Sequence, residues 1–155
     1  MATLDEGDKA PAFALEDQTG TIHRLADYAG KPLILYFYPK DDTPGCTKEA
    51  CDFRDNLSRF GKSKAAVLGV SILDAASKAK FAKKHRLKFP LLADVDHEVA
   101  EKYGVWKKKA LYGRQFMGIA RTTFLIGPEG KIVRRWDNVK VDGHAAEVLA
   151  AVQGL

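Results

Sequence analysis

The run Pro32-Leu33-Ile34-Leu35-Tyr36-Phe37-Tyr38 carries no charged or strongly polar side chain. A strand wetted on one face alternates apolar and polar residues, whereas a strand covered on both faces does not. Residues 32–38 therefore read as a strand buried on both sides. A second run, Ala66-Val67-Leu68-Gly69-Val70-Ser71-Ile72, has the same character. Between them Ala50, Phe53, Leu57 and Phe60 recur at three-four spacing, which predicts one helix over 44–60 that stops near Gly61. Two buried strands joined through a helix are the signature of an α/β protein.

The flanking segments extend this pattern. Residues 11–15 and 21–25 read as a short N-terminal hairpin around Asp17-Gln18-Thr19-Gly20. Residues 75–86 predict a basic helix with Ala79 and Ala82 inward, Leu91-Leu92-Ala93 a short strand, and 97–103 a short helix. Residues 106–117 read as a loop. Segments 119–126 and 131–136 should pair across Gly127-Pro128-Glu129-Gly130, a strong turn signal, before an amphipathic helix over 143–153. The expected architecture is a central mixed β-sheet flanked by helices, with an N-terminal β-hairpin, as in thioredoxin-like folds.

The chain has 155 residues, 46% hydrophobic and 29% charged, which fits one domain over 1–155. No apolar stretch approaches the ~20 residues that cross a bilayer. Residues 1–8, Met-Ala-Thr-Leu-Asp-Glu-Gly-Asp, are acidic and have no apolar centre, so they do not read as a secretory signal. A cytoplasmic location is the expectation. In that reducing compartment two cysteines are catalytic or inert rather than a permanent staple. The net charge is +5, yet the basic residues are dispersed; the densest groups, Lys78 to Arg86 and Lys107-Lys108-Lys109, read as solvated faces rather than a nucleic-acid surface.

Both cysteines lie within Thr43-Pro44-Gly45-Cys46-Thr47-Lys48-Glu49-Ala50-Cys51. Thr43 suits an N-cap and Pro44 the first helical position. Cys46 then falls in the first turn, where unpaired N–H groups and the positive end of the helix dipole favour a thiolate over a thiol. Cys51 follows five residues later. In an ideal helix that offset turns the side chains about 140° apart and separates the Cα atoms by roughly 8–9 Å. A disulfide tolerates no more than about 7 Å. A bond between the two would require the first turns of the helix to unwind. Metal chemistry is a poor alternative: zinc wants three or four ligands, and His23, His85, His97 and His144 form no compact spacing with the cysteines. Two thiols exclude a four-thiolate iron–sulfur centre within one chain, and the spacing is not that of a Cys-x-x-Cys redox motif. Cys51 alone could be an inert core thiol; Cys46 behind Thr-Pro-Gly is hard to explain that way.

Pro39-x-x-x-Thr43-x-x-Cys46 resembles the active-site motif of peroxiredoxins. The longer string Tyr36-Phe37-Tyr38-Pro39-Lys40, then Thr43 to Thr47 with Cys51, is similar to the bacterioferritin-comigratory-protein (PrxQ) subfamily. So are Gly69-Val70-Ser71, Phe89 to Asp94, Tyr103-Gly104-Val105-Trp106 and Arg121-Thr122-Thr123-Phe124-Leu125-Ile126. The resemblance spans about Gly7 to Val148. It implies a thiol peroxidase that reduces hydrogen peroxide and organic hydroperoxides without metal or organic cofactor. Cys46 corresponds to the peroxidatic cysteine and Cys51 to the resolving cysteine. Thr43 corresponds to the hydroxyl that bonds the thiolate and orients the peroxide, Pro39 to the proline shielding the pocket, and Arg121 to the arginine that stabilises thiolate and peroxide. Backbone N–H groups near Gly45 and Cys46 complete the expected substrate site. Thioredoxin is the implied reductant, with glutaredoxin as an alternative. The one departure is Lys107-Lys108-Lys109, where the family often has a glycine and an acidic residue.

An intrahelical pair needs no second subunit, so a monomer is expected. The rival reading is a redox sensor or chaperone-like binder switched by oxidation of Cys46. Glu49 reads either as a partner of Arg121 or as a solvated helix residue. Asp41 and Asp42 read as loop carboxylates whose charge opposes a thiolate, Trp106 and Tyr112 as packing for the loop, and the histidines as surface or capping residues.

Overall fold

The computed structural model describes residues 4–155; Met1-Ala2-Thr3, the start of the segment read above as lacking a signal, lie outside the described residues. The N-terminal hairpin is present, with β1 (Ala14–Glu16) antiparallel to β2 (Ile22–Arg24), each shorter than expected. The five-stranded central sheet contains β3 (Leu33–Phe37), β4 (Ala66–Ser71), β5 (Leu91–Ala93), β8 (Thr122–Ile126) and β9 (Ile132–Trp136), in the order β5-β4-β3-β8-β9. β3, β4 and β5 run parallel, while β8 and β9 are antiparallel to their neighbours. The sheet is mixed and flanked by helices, as the pattern of apolar runs predicts.

Every residue of β3 is buried, and its alternation divides the core in two. Ile34, Tyr36 and Tyr38 face a cluster with α1 (Pro44–Asp55), α2 (Leu57–Lys62), α3 (Ala75–His85) and α5 (His144–Gln153). Leu33, Leu35 and Phe37 face the other cluster, which includes Phe13 and the α4 (Glu98–Lys102) residues Val99 and Ala100. Tyr36 lies opposite Gly69 in the parallel register. A Cβ at Gly69 would come within 2.8 Å of the Tyr36 ring, so the tyrosine occupies space that only a glycine leaves.

Five expectations are corrected. The helix over 44–60 is two helices, because Asn56 leaves the helical conformation at φ −103°, ψ 4°. Its side-chain Nδ2 donates to the Asp52 carbonyl at 2.9 Å, taking the acceptor that its own backbone N–H would use in a continuous helix. In α3, Ala79 is exposed, and the inward positions are Lys78, Phe81 and Ala82. Residues 106–117 are no loop: β6 (Trp106–Leu111) and β7 (Arg114–Ile119) form an antiparallel ribbon closed by Tyr112 and Gly113, both at positive φ. Two such residues make the tight turn that matches strand twist. The ribbon leaves most residues of both strands in solvent, so no alternation marks it in the sequence, and Tyr112 is 96% exposed rather than packed. Finally, the strand expected over 119–126 is divided. Ile119 ends β7, and Ala120 and Arg121 lie between β7 and β8.

Candidate active site

The site forms where β3 leaves the sheet and α1 begins. Pro39 follows the buried Tyr38 and is half-buried. Thr43 occupies the N-cap and Pro44 the first helical turn, as expected. Cys46 follows in that turn with 1% of its surface exposed. The Thr47 N–H already bonds the Thr43 carbonyl at 2.8 Å. The N–H groups before it belong to the unpaired first-turn donors that point out of the helix beside Cys46.

Arg121 reaches this corner from the segment between β7 and β8, its carbonyl held by the Val139 N–H at 3.1 Å. Its Nη2 donates to Cys46 Sγ at 3.3 Å, and its Nη1 donates to Glu49 Oε1 at 2.6 Å. Glu49 is the partner of Arg121 rather than a solvated residue; its side chain is 1% exposed. Burial pushes the Glu49 carboxyl up to about 7, with Arg121 opposing that rise. The second carboxyl oxygen, Oε2, is buried without a hydrogen-bond partner. For Arg121, burial works against the charge, and Glu49 and Cys46 override it and hold the guanidinium protonated. A Cβ at Gly45 would stand 3.2 Å from Arg121 Nη2, so the guanidinium lies directly over that glycine.

Thr43 differs in detail from its expected role. Its hydroxyl makes no capping bond and donates instead to the Lys40 carbonyl at 2.9 Å, because the turn through Asp42, at φ 58°, brings that carbonyl within reach. With its proton so engaged, the Thr43 oxygen keeps its lone pairs for an external O–H. Cys51 lies on the same unbroken α1 as Cys46, half-buried, and both thiols are free.

Two polar features were not legible beforehand. Asp41, expected as a loop carboxylate, lies in the turn but is buried and accepts from Tyr38 Oη at 2.5 Å and Ser77 Oγ at 2.8 Å, with Lys78 Nζ 3.4 Å away. Lys78 is fully buried, donates to Ser71 Oγ at 2.6 Å, and burial lowers its ammonium to about 8. This network fastens the loop ahead of Cys46 to β4 and α3. The neighbouring Asp42 is held by Lys84 at 2.8 Å and His85 at 2.9 Å. His144, expected as a surface or capping residue, is buried against Phe53 and Trp136 and bonds Thr123 Oγ1 at 2.8 Å. Nothing in the local sequence pattern marks either contact, since the partners are 37 and 21 residues apart. Among the described residues no cluster of metal-ligating side chains is present, and no helix is long and apolar enough to cross a membrane.

The AhpC/TSA family model matches residues 6–135. Peroxiredoxin Bcp of Bacillus subtilis is 46% identical over 153 residues, covering 99% of this chain and 98% of that protein. Peroxiredoxin Bcp of Escherichia coli K12 is 44% identical over 149 residues, covering 96% of each. Among solved structures, a cysteine-to-serine mutant of Xylella fastidiosa PrxQ superposes with a TM-score of 0.94 at 39% identity, over 99% of this chain and 98% of that one. The bacterioferritin comigratory protein of Xanthomonas campestris, solved as trapped intermediate and ligand complexes bearing on its alkyl peroxide reduction activity, gives a TM-score of 0.90 at 42% identity, with the same coverage. The sheet is thus of the thioredoxin-like type found in these neighbours, and with a family match over most of its length the chain belongs to the AhpC/TSA family, in its Bcp/PrxQ peroxiredoxin branch.

Proposed function

We propose that this peroxiredoxin carries out thiol-dependent peroxide reduction with Cys46 as its nucleophile. The observation that carries the assignment is the 3.3 Å contact from Arg121 Nη2 to Cys46 Sγ at the start of α1. The sulfur of the Cys46 thiolate attacks one oxygen of a hydroperoxide. The O–O bond breaks, the sulfur is oxidised to a sulfenic acid, and the departing oxygen takes a proton to leave as water or an alcohol. Charge moves from sulfur to that oxygen during the step. Arg121 and the free N–H groups of the first turn are fixed in advance and aimed at this corner, so they stabilise the transition state without reorganising. The Thr43 oxygen accepts from the O–H of the bound peroxide and so selects which oxygen faces the sulfur. Pro39, which has no N–H, closes the pocket wall without competing as a donor.

Cys51 then attacks the sulfenic sulfur, an S–S bond forms and water leaves. The helix must open first, because α1 holds both residues in one continuous helix. A protein dithiol attacks the disulfide through a mixed disulfide, and its second thiol releases the reduced enzyme. Thioredoxin is the proposed dithiol, with glutaredoxin the alternative. Hydrogen peroxide and alkyl hydroperoxides are the substrates, and the chain acts as a single cytoplasmic domain and a monomer. The test is NADPH consumption with hydrogen peroxide, thioredoxin and thioredoxin reductase. Sustained turnover that vanishes in Cys46→Ser is expected. Peroxide oxidation of Cys46 without turnover would mean a different reductant, such as glutaredoxin, or the sensor reading.

A further inference from the structure

The β6–β7 ribbon is the feature that the chemistry at Cys46 leaves unused. Its fourteen residues, Trp106 to Ile119, carry Lys107, Lys108, Lys109 and Arg114 and no carboxylate. They also carry Leu111, Tyr112, Phe116 and Met117, which make up four of the seven large apolar side chains exposed among the described residues. Such a concentration in one short element marks an interaction surface rather than scatter. The register places cationic and apolar groups on both faces: Lys109 lies opposite Phe116 and Leu111 opposite Arg114, while Lys108 lies opposite Met117.

The base of the ribbon is anchored in the catalytic corner. Ile119 is buried, Trp106 stacks on His97 at 4.2 Å, and the Ala120 N–H bonds the Val105 carbonyl at 2.8 Å. Arg121, which touches Cys46, is the second residue after the ribbon ends. Lys109 is the ribbon's one half-buried cation, and its stem passes Gly118, where a Cβ would approach Lys109 Cδ to 3.4 Å. Burial lowers the Lys109 ammonium, Arg121 adds to that and Cys46 opposes it, so its charge is felt at the active site. From this base the strands extend roughly 17 Å to the Tyr112-Gly113 tip at the usual rise per residue.

We propose that this ribbon is the docking surface for the protein dithiol that recycles the peroxidase, a partner presenting carboxylates around an apolar patch. The proposal rests on the thioredoxin-type recycling given above. Lys107, Lys108 and Arg114 steer the encounter, and Leu111 and Phe116 on one face, with Tyr112 at the tip, supply the dry contact that holds it. Continuity with the Cys46 corner favours this occupant over a polyanion. A nucleic acid or anionic lipid would use the charge, but neither would need the ribbon to end at the thiol.

The test compares wild type, the double variant Lys107→Glu/Lys108→Glu and the single variant Tyr112→Asn, which suits the positive φ of that turn. Turnover is driven either by thioredoxin with its reductase or by dithiothreitol, a small neutral dithiol. The expected result is a KM for thioredoxin raised about tenfold by the charge reversals and several-fold by Tyr112→Asn, with turnover on dithiothreitol unchanged. The wild-type KM should rise with added salt and that of the charge variant should not. An unchanged thioredoxin KM in both variants overturns the docking role and leaves thioredoxin recycling standing. Equal losses with both reductants overturn it too, as does reduced binding to DNA or phosphatidylglycerol vesicles at unchanged thioredoxin KM. Wild-type turnover on dithiothreitol but none on thioredoxin overturns the reductant assignment and the docking proposal together.

Discussion

Arg121 bridges Cys46 and Glu49 with one guanidinium, 3.3 Å to the sulfur and 2.6 Å to the carboxyl oxygen. The two contacts come from different nitrogens, so one planar group is oriented by the buried carboxyl and delivers its other edge to the thiol. On the proposed mechanism, replacing Arg121 with Ala removes both a counter-charge and a transition-state donor. The second-order rate of Cys46 oxidation should fall by about a hundredfold or more. Arg121→Lys should restore little, since an ammonium lacks the fork that spans both partners. Rapid-mixing fluorescence against peroxide concentration checks this, and an unaltered rate in Arg121→Ala would refute the role.

Glu49 makes stability depend on pH. Its carboxyl is raised from 4.5 to about 7 in the fold, so the folded protein holds a proton that the unfolded chain has lost. The contribution is fully present below about 4.5 and disappears as pH rises through 7. Glu49→Gln mimics the protonated form and lacks this dependence. Going from pH 5 to pH 8, wild type should therefore lose up to about 3 kcal/mol relative to Glu49→Gln. Urea unfolding at the two pH values measures the difference; an identical gap at both would show that Glu49 does not titrate between them.

Gly45→Ala separates stability from rate. Alanine favours a helix over glycine by about 1 kcal/mol, so the variant should fold at least as well as wild type. Its Cβ, however, would stand 3.2 Å from Arg121 Nη2 and displace the guanidinium from the sulfur. Oxidation of Cys46 should slow by about tenfold or more. Thermal unfolding together with peroxide kinetics tests both halves, and an unchanged oxidation rate would mean the guanidinium accommodates the methyl group.

Asn56 divides the helical segment at the point where Cys46–Cys51 bond formation asks α1 to open while Phe60 of α2 stays in the core. Helix formation is cooperative, so a break confines the opening to the part that must move. In Asn56→Ala the Asp52 carbonyl is free to accept the backbone N–H at 56 and join the helices. Sulfenic acid formation should keep its rate, disulfide formation should slow several-fold, and sulfinic acid should accumulate at lower peroxide. Mass spectrometry of quenched samples distinguishes these products; an unchanged disulfide rate would remove the hinge role.

The buried Asp41–Lys78 pair predicts a non-additive mutant cycle. Lys78→Met leaves the Asp41 charge buried without its cation and should cost about 3–5 kcal/mol. Adding Asp41→Asn removes the stranded charge and should recover much of that loss. Denaturant midpoints for the two single variants and the double variant close the cycle, and simple additivity would show that the two groups are not coupled.

The central strands, the alternating helices, the closing hairpin across 127–130 and the position of Cys46 in a first helical turn were all legible, because each rests on local pattern: apolar runs, three-four spacing, turn residues and an N-terminal Thr-Pro. The β6–β7 ribbon was not, since its strands leave most residues of both faces in water and lack a period. The break at Asn56 was hidden for a different reason. The apolar spacing runs straight through it, and a single side-chain bond to Asp52 decides the matter.

From the residues and their resemblance to a known family, the chain determined which thiol is poised at a helix start and which arginine should face it. Local spacing sets a helix, and a helix start sets the field at its first turn. Only the tertiary structure decided that Glu49 orients that arginine, that Thr43 turns its proton toward Lys40, and that Asp41 is locked to Lys78. These are contacts between side chains brought together by burial. Desolvation makes them strong, and nothing in the spacing of residues along the chain records which groups will be desolvated together.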